Sequence, residues 1–123
     1  GENSMTKAYE GLTSYLRQNG GKSPFTAIIS SSPAGVISAM RALHEAGISV
    51  PDDCSLCSFG VEPENAMLIP AVTEVGVDED QWGEGVVEAL HRRLNAPDAP
   101  TFGIKLPPKL HIRESTQPPR KHV

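Results

Sequence analysis

The chain has 123 residues, with 11 basic and 15 acidic side chains and a formal net charge of −4. A chain of this length forms one domain or part of one. The acidic balance argues against a nucleic-acid surface, because phosphate contacts require clustered Lys and Arg. The sequence contains no apolar run that could cross a bilayer, no secretory signal pattern and no disulfide framework. We therefore expect a cytoplasmic setting and no membrane partner.

The first predicted element is a helix over residues 5–19, which Gly20 and Gly21 end. Its apolar residues recur at helical spacing and share one face: Ala8, Leu12, Tyr15 and Leu16. Residues 1–4 are interpreted as a cloning remnant and are left out of the fold prediction.

Residues 25–60 predict a β-α-β unit, around which the rest of the chain is organised. A short apolar, β-branched run at 26–29 indicates a buried strand. Ser32 is a candidate N-cap, and Pro33 suits the first helical position because its missing N–H is not needed there. Gly47 ends the helix, and residues 54–59 form a second apolar run. Two parallel strands joined by a helix cross over right-handedly.

The second half predicts a third strand, a helix and two short strands. The strand covers residues 71–77, after a short helical turn at 66–69. Asp78 is a candidate N-cap with Gln81 at the reciprocal position. The helix then repeats an apolar residue every four positions: Trp82, Val86, Leu90 and Leu94. Alternation at 102–106 and 110–112 predicts the two short strands, which are followed by a Pro-rich tail.

The residues that could carry chemistry are few. Cys54 and Cys57 have redox or metal spacing, but on a strand they point to opposite faces, so core cysteines are the preferred interpretation. Ser30, Ser31 and Ser32 follow a strand and open a helix, where α/β sheets bind ligands; a plain helix cap with a polar loop is the alternative. No phosphate-loop, dinucleotide or hydrolase signature is present, and no catalytic residue, metal site or cofactor is expected.

Four segments resemble the LacI/GalR family of bacterial transcription regulators. They correspond to its Pro-Thr-Ala-Ile strand, its Gly-x-x-Val-Pro-x-Asp loop, its Pro-x-Leu-Thr-Thr-Val…Gly segment and its Leu-Pro-x-x-Leu-x-x-Arg-x-Ser-Thr ending. In this chain the four segments are FTAII at 25–29, AMRALHEAGISVPDD at 39–53, PAVTEV at 70–75 with Gly83, and LPPKLHIREST at 106–116. The resemblance covers about residues 5–116. It implies a three-layer α/β lobe with a parallel sheet, part of a type I periplasmic-binding-protein-like fold, truncated.

The resemblance also implies a ligand site. Family members bind an effector through an Asn-Asp pair after the first strand and a Gly-[Phe/Tyr]-Asp-Asp segment after the second. The candidate ligand-binding residues at those places are Ser31, Ser32, Phe59 and Gly60. Because Gly60 replaces an aspartate, a strong acceptor for sugar hydroxyls is lost. A small-molecule effector is expected, with three alternatives: a ligand less hydroxylated than a sugar, a sugar bound through Ser32 alone, or a vestigial pocket.

The resemblance divides the chain. Residues 5–76 and 101–116 are expected to form the carboxyl-terminal lobe of the effector-binding domain, and residues 117–123 a disordered tail. Residues 77–100 are expected to be a crossover helix of an absent amino-terminal lobe, whose apolar stripe packs on the present lobe or on another chain. Homodimerisation would place five residues near a two-fold axis, with intramolecular core as the alternative for them: Val36, Ile37, Met40, Met67 and Leu68.

The expected function is effector binding and dimerisation for a transcription repressor that contacts operator DNA only through a head absent from this sequence. The first alternative is the solute-binding protein of a sugar transporter, which shares the fold; a signal peptide or an upstream helix-turn-helix in the intact gene would discriminate the two. The second alternative, an enzyme, is not supported, because no nucleophile–base pair is evident.

Overall fold

A computed structural model describes residues 4–119 of the protein. Its elements follow the predicted order closely. In chain order they are α1 (Ser4–Gln18), β1 (Ala27–Ser30), α2 (Pro33–Glu45), β2 (Ser55–Phe59), a short 3₁₀ turn (Pro63–Ala66), β3 (Thr73–Gly76), α3 (Glu79–Asn95) and β4 (Lys109–His111). Among these residues no helix has the length and apolar character needed to cross a membrane.

The four strands form one sheet in the order β1-β2-β3-β4. β1 pairs with β2 in parallel, and β2 pairs with β3 in parallel, whereas β4 runs antiparallel to β3 at the edge. This confirms the predicted parallel sheet and its α/β class. It also confirms that a strand near the carboxyl end adds an edge.

Local signals explain the β-α-β unit. The Ser32 side chain caps α2 by accepting a hydrogen bond from the Gly35 N–H at 3.1 Å, and Pro33 occupies the first helical position. Gly47 ends the helix region with a φ of 71°, a backbone conformation that favours glycine. These positions confirm the predicted cap and stop.

The core lies between the sheet and the helices on one of its faces. α2 packs on β1 and β2, and α1 packs against α2. Two clusters of buried side chains fill this layer; they are Leu16, Leu43, Ile48 and Cys54 in one, and Val36, Ala39, Leu56 and Val72 in the other.

The opposite face of the sheet is open over β1. Ile29, whose side chain alternates with the core residue Ile28, is 73% exposed. Of the three layers expected, residues 4–119 therefore supply the sheet and one helical layer.

Ser115 joins β2 to β3 at the amino ends of the two strands. Its backbone accepts from the Leu56 N–H at 2.8 Å and donates to the Ala71 carbonyl at 3.0 Å. Its hydroxyl accepts from the Thr73 N–H at 2.8 Å and donates to the Leu56 carbonyl. Because Ser115 is fully buried, these bonds replace solvent for groups that neither strand satisfies alone.

Helix α3 stands apart from the core. Its apolar stripe is exposed, from 53% at Val86 to 69% at Leu94, and Trp82 is 63% exposed. The stripe does not pack on the present lobe within the described residues, so its contact with another chain stays a prediction. The segment after α3 folds back along this helix, where Leu106 lies over Gly85.

Two local predictions are wrong, and a third holds only in part. Residues 102–106 form no strand, and β4 begins only at Lys109. The Phe102 ring packs instead under the Arg92 guanidinium, whose central carbon lies 4.1 Å from the centroid of the ring. The helical turn expected at 66–69 lies earlier, at Pro63–Ala66. Asp78 occupies the N-cap position of α3, but its side chain makes no capping hydrogen bond because it pairs with Lys109.

Both chain ends are described in part. Ser4 begins α1, one residue before the predicted start, and the interpretation of residues 1–4 as a cloning remnant stays a prediction. Gln117, expected to begin a disordered tail, exchanges hydrogen bonds with Ser55 and donates to the Pro51 carbonyl at 3.2 Å. Residues 1–3 and 120–123, which carry the rest of these two predictions, lie outside the described residues.

Candidate functional site

The candidate ligand-binding residues meet at the carboxyl edge of the sheet. The pairing between β1 and β2 ends at Ser30 of β1 and Ser58 of β2. Ser31 and Phe59, the next residues, therefore leave neighbouring strands side by side. Ser31 is exposed and Phe59 is 63% exposed, so both face the space beyond the edge.

The serine loop after β1 uses two of its three hydroxyls internally. Ser30 donates to the Ser32 carbonyl at 2.9 Å, and Ser32 caps α2. A side chain at Gly35 would collide with the Ser30 hydroxyl, so glycine lets the first turn of α2 approach β1. The Ser31 hydroxyl makes no hydrogen bond with any residue in the range 4–119, and it is the hydroxyl most available to a ligand.

Gly60 differs from an aspartate in more than charge. Its φ is 120°, a conformation that side-chain-bearing residues rarely adopt. An aspartate here would strain the backbone, so the conformation of the loop after β2 requires glycine at this position. The same glycine that gives the loop its conformation therefore also removes the carboxylate from the candidate site.

A polar row crosses the sheet just below this edge. Ser58 is paired with Ser30 on one side and Glu74 on the other, and Glu74 is paired with His111. Directly paired residues share a face, so the row lies on the α2 side, beyond the core residue Leu56. Polar groups thus replace the hydrophobic core where the strands approach the candidate site.

Glu74 is the centre of this row and is 1% exposed. Its carboxylate accepts from the Asn65 side chain at 2.6 Å and the Glu62 N–H at 3.1 Å. Arg113 completes the network with an ion pair of 2.7 Å. Burial alone would raise the pKa of Glu74, but the hydrogen bonds from Arg113, Asn65 and the Glu62 N–H outweigh it, and the pKa is lowered.

A second ionic group lies beside the first, where β3 leads into α3. Asp78 is paired with Lys109 at 2.7 Å and lies 3.3 Å from His111. The hydrogen bond from Lys109, together with the charge of Lys109, lowers the pKa of Asp78 despite partial desolvation. A cleft of about 240 Å³ runs between the two groups, lined by residues that include Glu74 and Asp78.

The five predicted interface residues separate into core and surface. Val36 is fully buried among Ala39, Leu56 and Val72 and offers no surface to a partner, so the intramolecular alternative applies to it. Ile37 is 40% exposed and Met67 82% exposed.

Met40 and Leu68 are half-buried and pack against the same core. Ile69, which the sequence did not single out, is 92% exposed and borders a cleft with Met40.

The prediction of core cysteines is confirmed for Cys54 alone, because Cys57 pairs with Ile29 on the open face of the sheet. Cys54 is fully buried in the core and Cys57, three residues on, is half-buried; both are free thiols. Burial raises the pKa of each thiol, so neither is a reactive thiolate. Within residues 4–119 no group of three or more His, Cys, Asp or Glu could hold a metal ion.

Sequence reasoning missed Glu74, Asn65 and Arg113. The signal for Glu74 was a lone acidic residue inside a β-branched run predicted to be a buried strand. Such a residue requires a partner. The partner could not be identified from spacing, because Arg113 lies far along the chain and reaches Glu74 only through the β3–β4 pairing.

The topology, a largely parallel sheet covered by helices on one face, is that of part of a periplasmic-binding-protein-like domain, and comparison with known proteins gives the family. Residues 2–116 match the periplasmic binding protein-like domain family. The chain belongs to that family, within the LacI/GalR-type transcriptional regulators, and corresponds to part of their effector-binding domain.

Sequence relatives are transcriptional regulators. The regulator GalR of Streptococcus thermophilus is 32% identical over 117 residues, which are 95% of this chain and 35% of that protein. The lactose operon repressor of Rhizobium radiobacter is 30% identical over 93 residues, which are 76% of this chain and 81% of that sequence. The chain thus spans about a third of the length of the first of these relatives.

Solved structures of LacI-family regulators share the fold. One from Enterococcus faecalis with bound ribose aligns with a TM-score of 0.82 at 25% identity, over 97% of this chain and 43% of that one. One from Arthrobacter sp. in complex with lactose aligns with a TM-score of 0.82 at 24% identity, over 95% of this chain and 43% of that one.

Proposed function

We propose that this chain is the effector-binding and dimerisation part of a bacterial transcription repressor, working in the cytoplasm and not as an enzyme. The observation that carries the proposal is the placement of Ser31 and Phe59 at the carboxyl edge of a parallel sheet. Ligands of open α/β sheets bind at that edge. The named relatives regulate transcription, which favours this role over a transporter's solute-binding protein.

The effector is a small molecule held by hydroxyls and an aromatic face. Ser31 and Ser32 offer hydrogen bonds to it, and Phe59 offers a broad apolar contact. Gly60 supplies no carboxylate, so the site on this lobe favours ligands with fewer hydroxyl donors than a typical sugar. Ribose and lactose, bound by two structural neighbours, are nonetheless the first probes to try.

Calorimetric titration of the chain with ribose and lactose tests the site. The Ser31→Ala variant is expected to weaken binding about three- to tenfold, the net value of one hydrogen bond. Ser49→Ala, on an exposed serine away from the edge, is the matched control and should bind as the parent does. Equal weakening by both variants, or none by Ser31→Ala with a ligand that binds, would contradict the assignment.

Dimerisation is proposed to use three exposed apolar side chains, Ile37, Met67 and Ile69. Large apolar side chains left exposed together mark interaction sites. In sedimentation experiments the Ile69→Lys variant should shift the chain towards monomer, whereas Ile112→Lys, on another exposed isoleucine, should not. A parent chain that is already monomeric at high concentration would refute this surface.

Regulation of DNA binding would follow from the effector's different affinity for two arrangements of the whole protein. This chain, with its net charge of −4, is not expected to contact operator DNA itself. Electrophoretic mobility of labelled operator DNA should be unchanged by the isolated chain. Sequence-specific retardation would contradict the proposed division of labour.

A further inference from the structure

The loop after β2 is tied to β3 at three points. The Gly60 N–H donates to the Val75 carbonyl at 2.8 Å. Gly76 passes directly beneath the loop, since a side chain there would lie 3.1 Å from the Val61 nitrogen. The Glu62 N–H donates to the Glu74 carboxylate at 3.1 Å. The backbone that follows Phe59 is therefore held by β3 through two backbone contacts and one side chain, that of Glu74.

Glu74 also holds the turn that follows this loop. Asn65, in the 3₁₀ turn, is 2% exposed and donates its side-chain amide to Glu74 at 2.6 Å. The Asn65 carbonyl then accepts from the Val72 N–H at 2.8 Å, two residues before Glu74. One carboxylate thus fixes both ends of the segment from 62 to 65.

Arg113 keeps Glu74 charged and in place. Its guanidinium pairs with the carboxylate at 2.7 Å and also donates to the Val72 carbonyl at 2.8 Å, which fixes the fork relative to β3. A buried carboxylate without such a partner would be costly. The ion pair therefore makes the loop contacts possible.

The pair also connects the loop to both chain segments that run to and from α3. Glu74 lies on β3, which leads into α3, and Arg113 follows β4, which returns from it. Of the contacts between the loop and β3, the Glu74–Arg113 pair also reaches the segment after β4, so a displacement of the loop would move both segments and a displacement of the segments would move the loop.

We propose that Glu74, held by Arg113, is the positioning residue of the loop at 59–62 and mechanically links the effector site to the two segments that connect this lobe with α3. That the loop contacts effector rests on the proposed function. That Glu74 holds the loop does not, and it is testable without any ligand.

Amide hydrogen exchange on the isotopically labelled chain provides the test. In Glu74→Ala, the Glu62 amide should exchange at least about tenfold faster relative to the Leu56 amide, the loss expected for one buried hydrogen bond. Glu74→Gln retains an acceptor oxygen and should restore part of the protection. Asp78→Asn removes a neighbouring carboxylate charge outside the junction and should leave the ratio unchanged.

If Glu74 only stabilised the fold as a whole, its variants would show a different pattern of amide exchange. If Glu74→Ala accelerates the Glu62 and Leu56 amides equally, or if the Asp78→Asn control has the same effect, the proposal is overturned. If Glu74→Ala does not fold, the decision passes to Glu74→Gln and Asn65→Ala. Unchanged exchange at Glu62 in both of these variants would then refute it.

Ribose titration followed by nuclear magnetic resonance separates the two proposals. Ribose-induced shifts at Phe59 and Gly60 in the parent, together with a ribose affinity that is several-fold weaker in Glu74→Gln, support both the effector site and the positioning role of Glu74. If the Glu62 amide exchanges faster in the Glu74 variants but ribose causes no shift in the parent, the positioning role of Glu74 is supported and the effector site is not. Parent-like ribose affinity in a variant whose loop has loosened would refute the link to the effector site.

Discussion

Removal of one hydroxyl should measurably weaken the join between β2 and β3. The Ser115 hydroxyl satisfies the Thr73 N–H and the Leu56 carbonyl, and all three residues are buried, with at most 4% exposed. Ser115→Ala keeps the backbone bonds but leaves these two groups without a partner. Each buried group left unsatisfied costs about 1–3 kcal/mol, so the loss of both partners should lower the free energy of unfolding by about 2–6 kcal/mol.

Urea unfolding followed by far-ultraviolet circular dichroism measures this loss. That signal reports on the three helices, whereas the fluorescence of the exposed Trp82 would be a poor reporter of unfolding. Ser49→Ala is the matched control, because its side chain is exposed, and it should change stability by less than about 0.5 kcal/mol. A Ser115→Ala variant indistinguishable from this control would refute the role assigned to the buried hydroxyl.

Three further predictions concern the candidate site. Gly76→Ala should destabilise the chain in thermal unfolding more than Gly103→Ala does, because only at Gly76 would the new carbon lie 3.1 Å from a backbone nitrogen; equal effects would be evidence against the close approach. Gly60→Asp should lower stability by about 1–3 kcal/mol because φ is positive there, and a more stable variant would contradict this. Since its folded-state pKa is lowered, Glu74 stabilises the fold above the ordinary pKa of glutamate and loses that contribution as pH falls through the lowered value; Glu74→Gln should flatten this part of the stability–pH profile, and an unchanged slope would be inconsistent with the ion pair.

The β-α-β unit could be predicted because its signals are local. Ser32 and Pro33 open α2, Gly47 ends it, and the apolar runs on either side are short enough to be strands. The structure retains all of these. The roles of Val36, Ile37 and Met40 were open, because a helical stripe facing the core and one facing a partner have the same spacing.

The features that failed depend on contacts far apart in the chain. Asp78 has the sequence environment of an N-cap, yet its carboxylate pairs with Lys109, which only the β3–β4 pairing brings near. Alternation at 102–106 suggested a strand, but β4 takes the free edge of β3 with only three residues, Lys109–His111. The Glu74–Arg113 pair was invisible for the same reason.

The most direct test of the account is to map where ligand touches the chain. In two-dimensional amide spectra of the labelled protein titrated with ribose, and then with lactose, the largest shifts should occur at Ser31, Ser32, Phe59 and Gly60. Amides of the α1–α2 face should remain unchanged. Shifts centred on that face, or a tight ligand that leaves the carboxyl edge of the sheet unperturbed, would contradict the placement of the effector site.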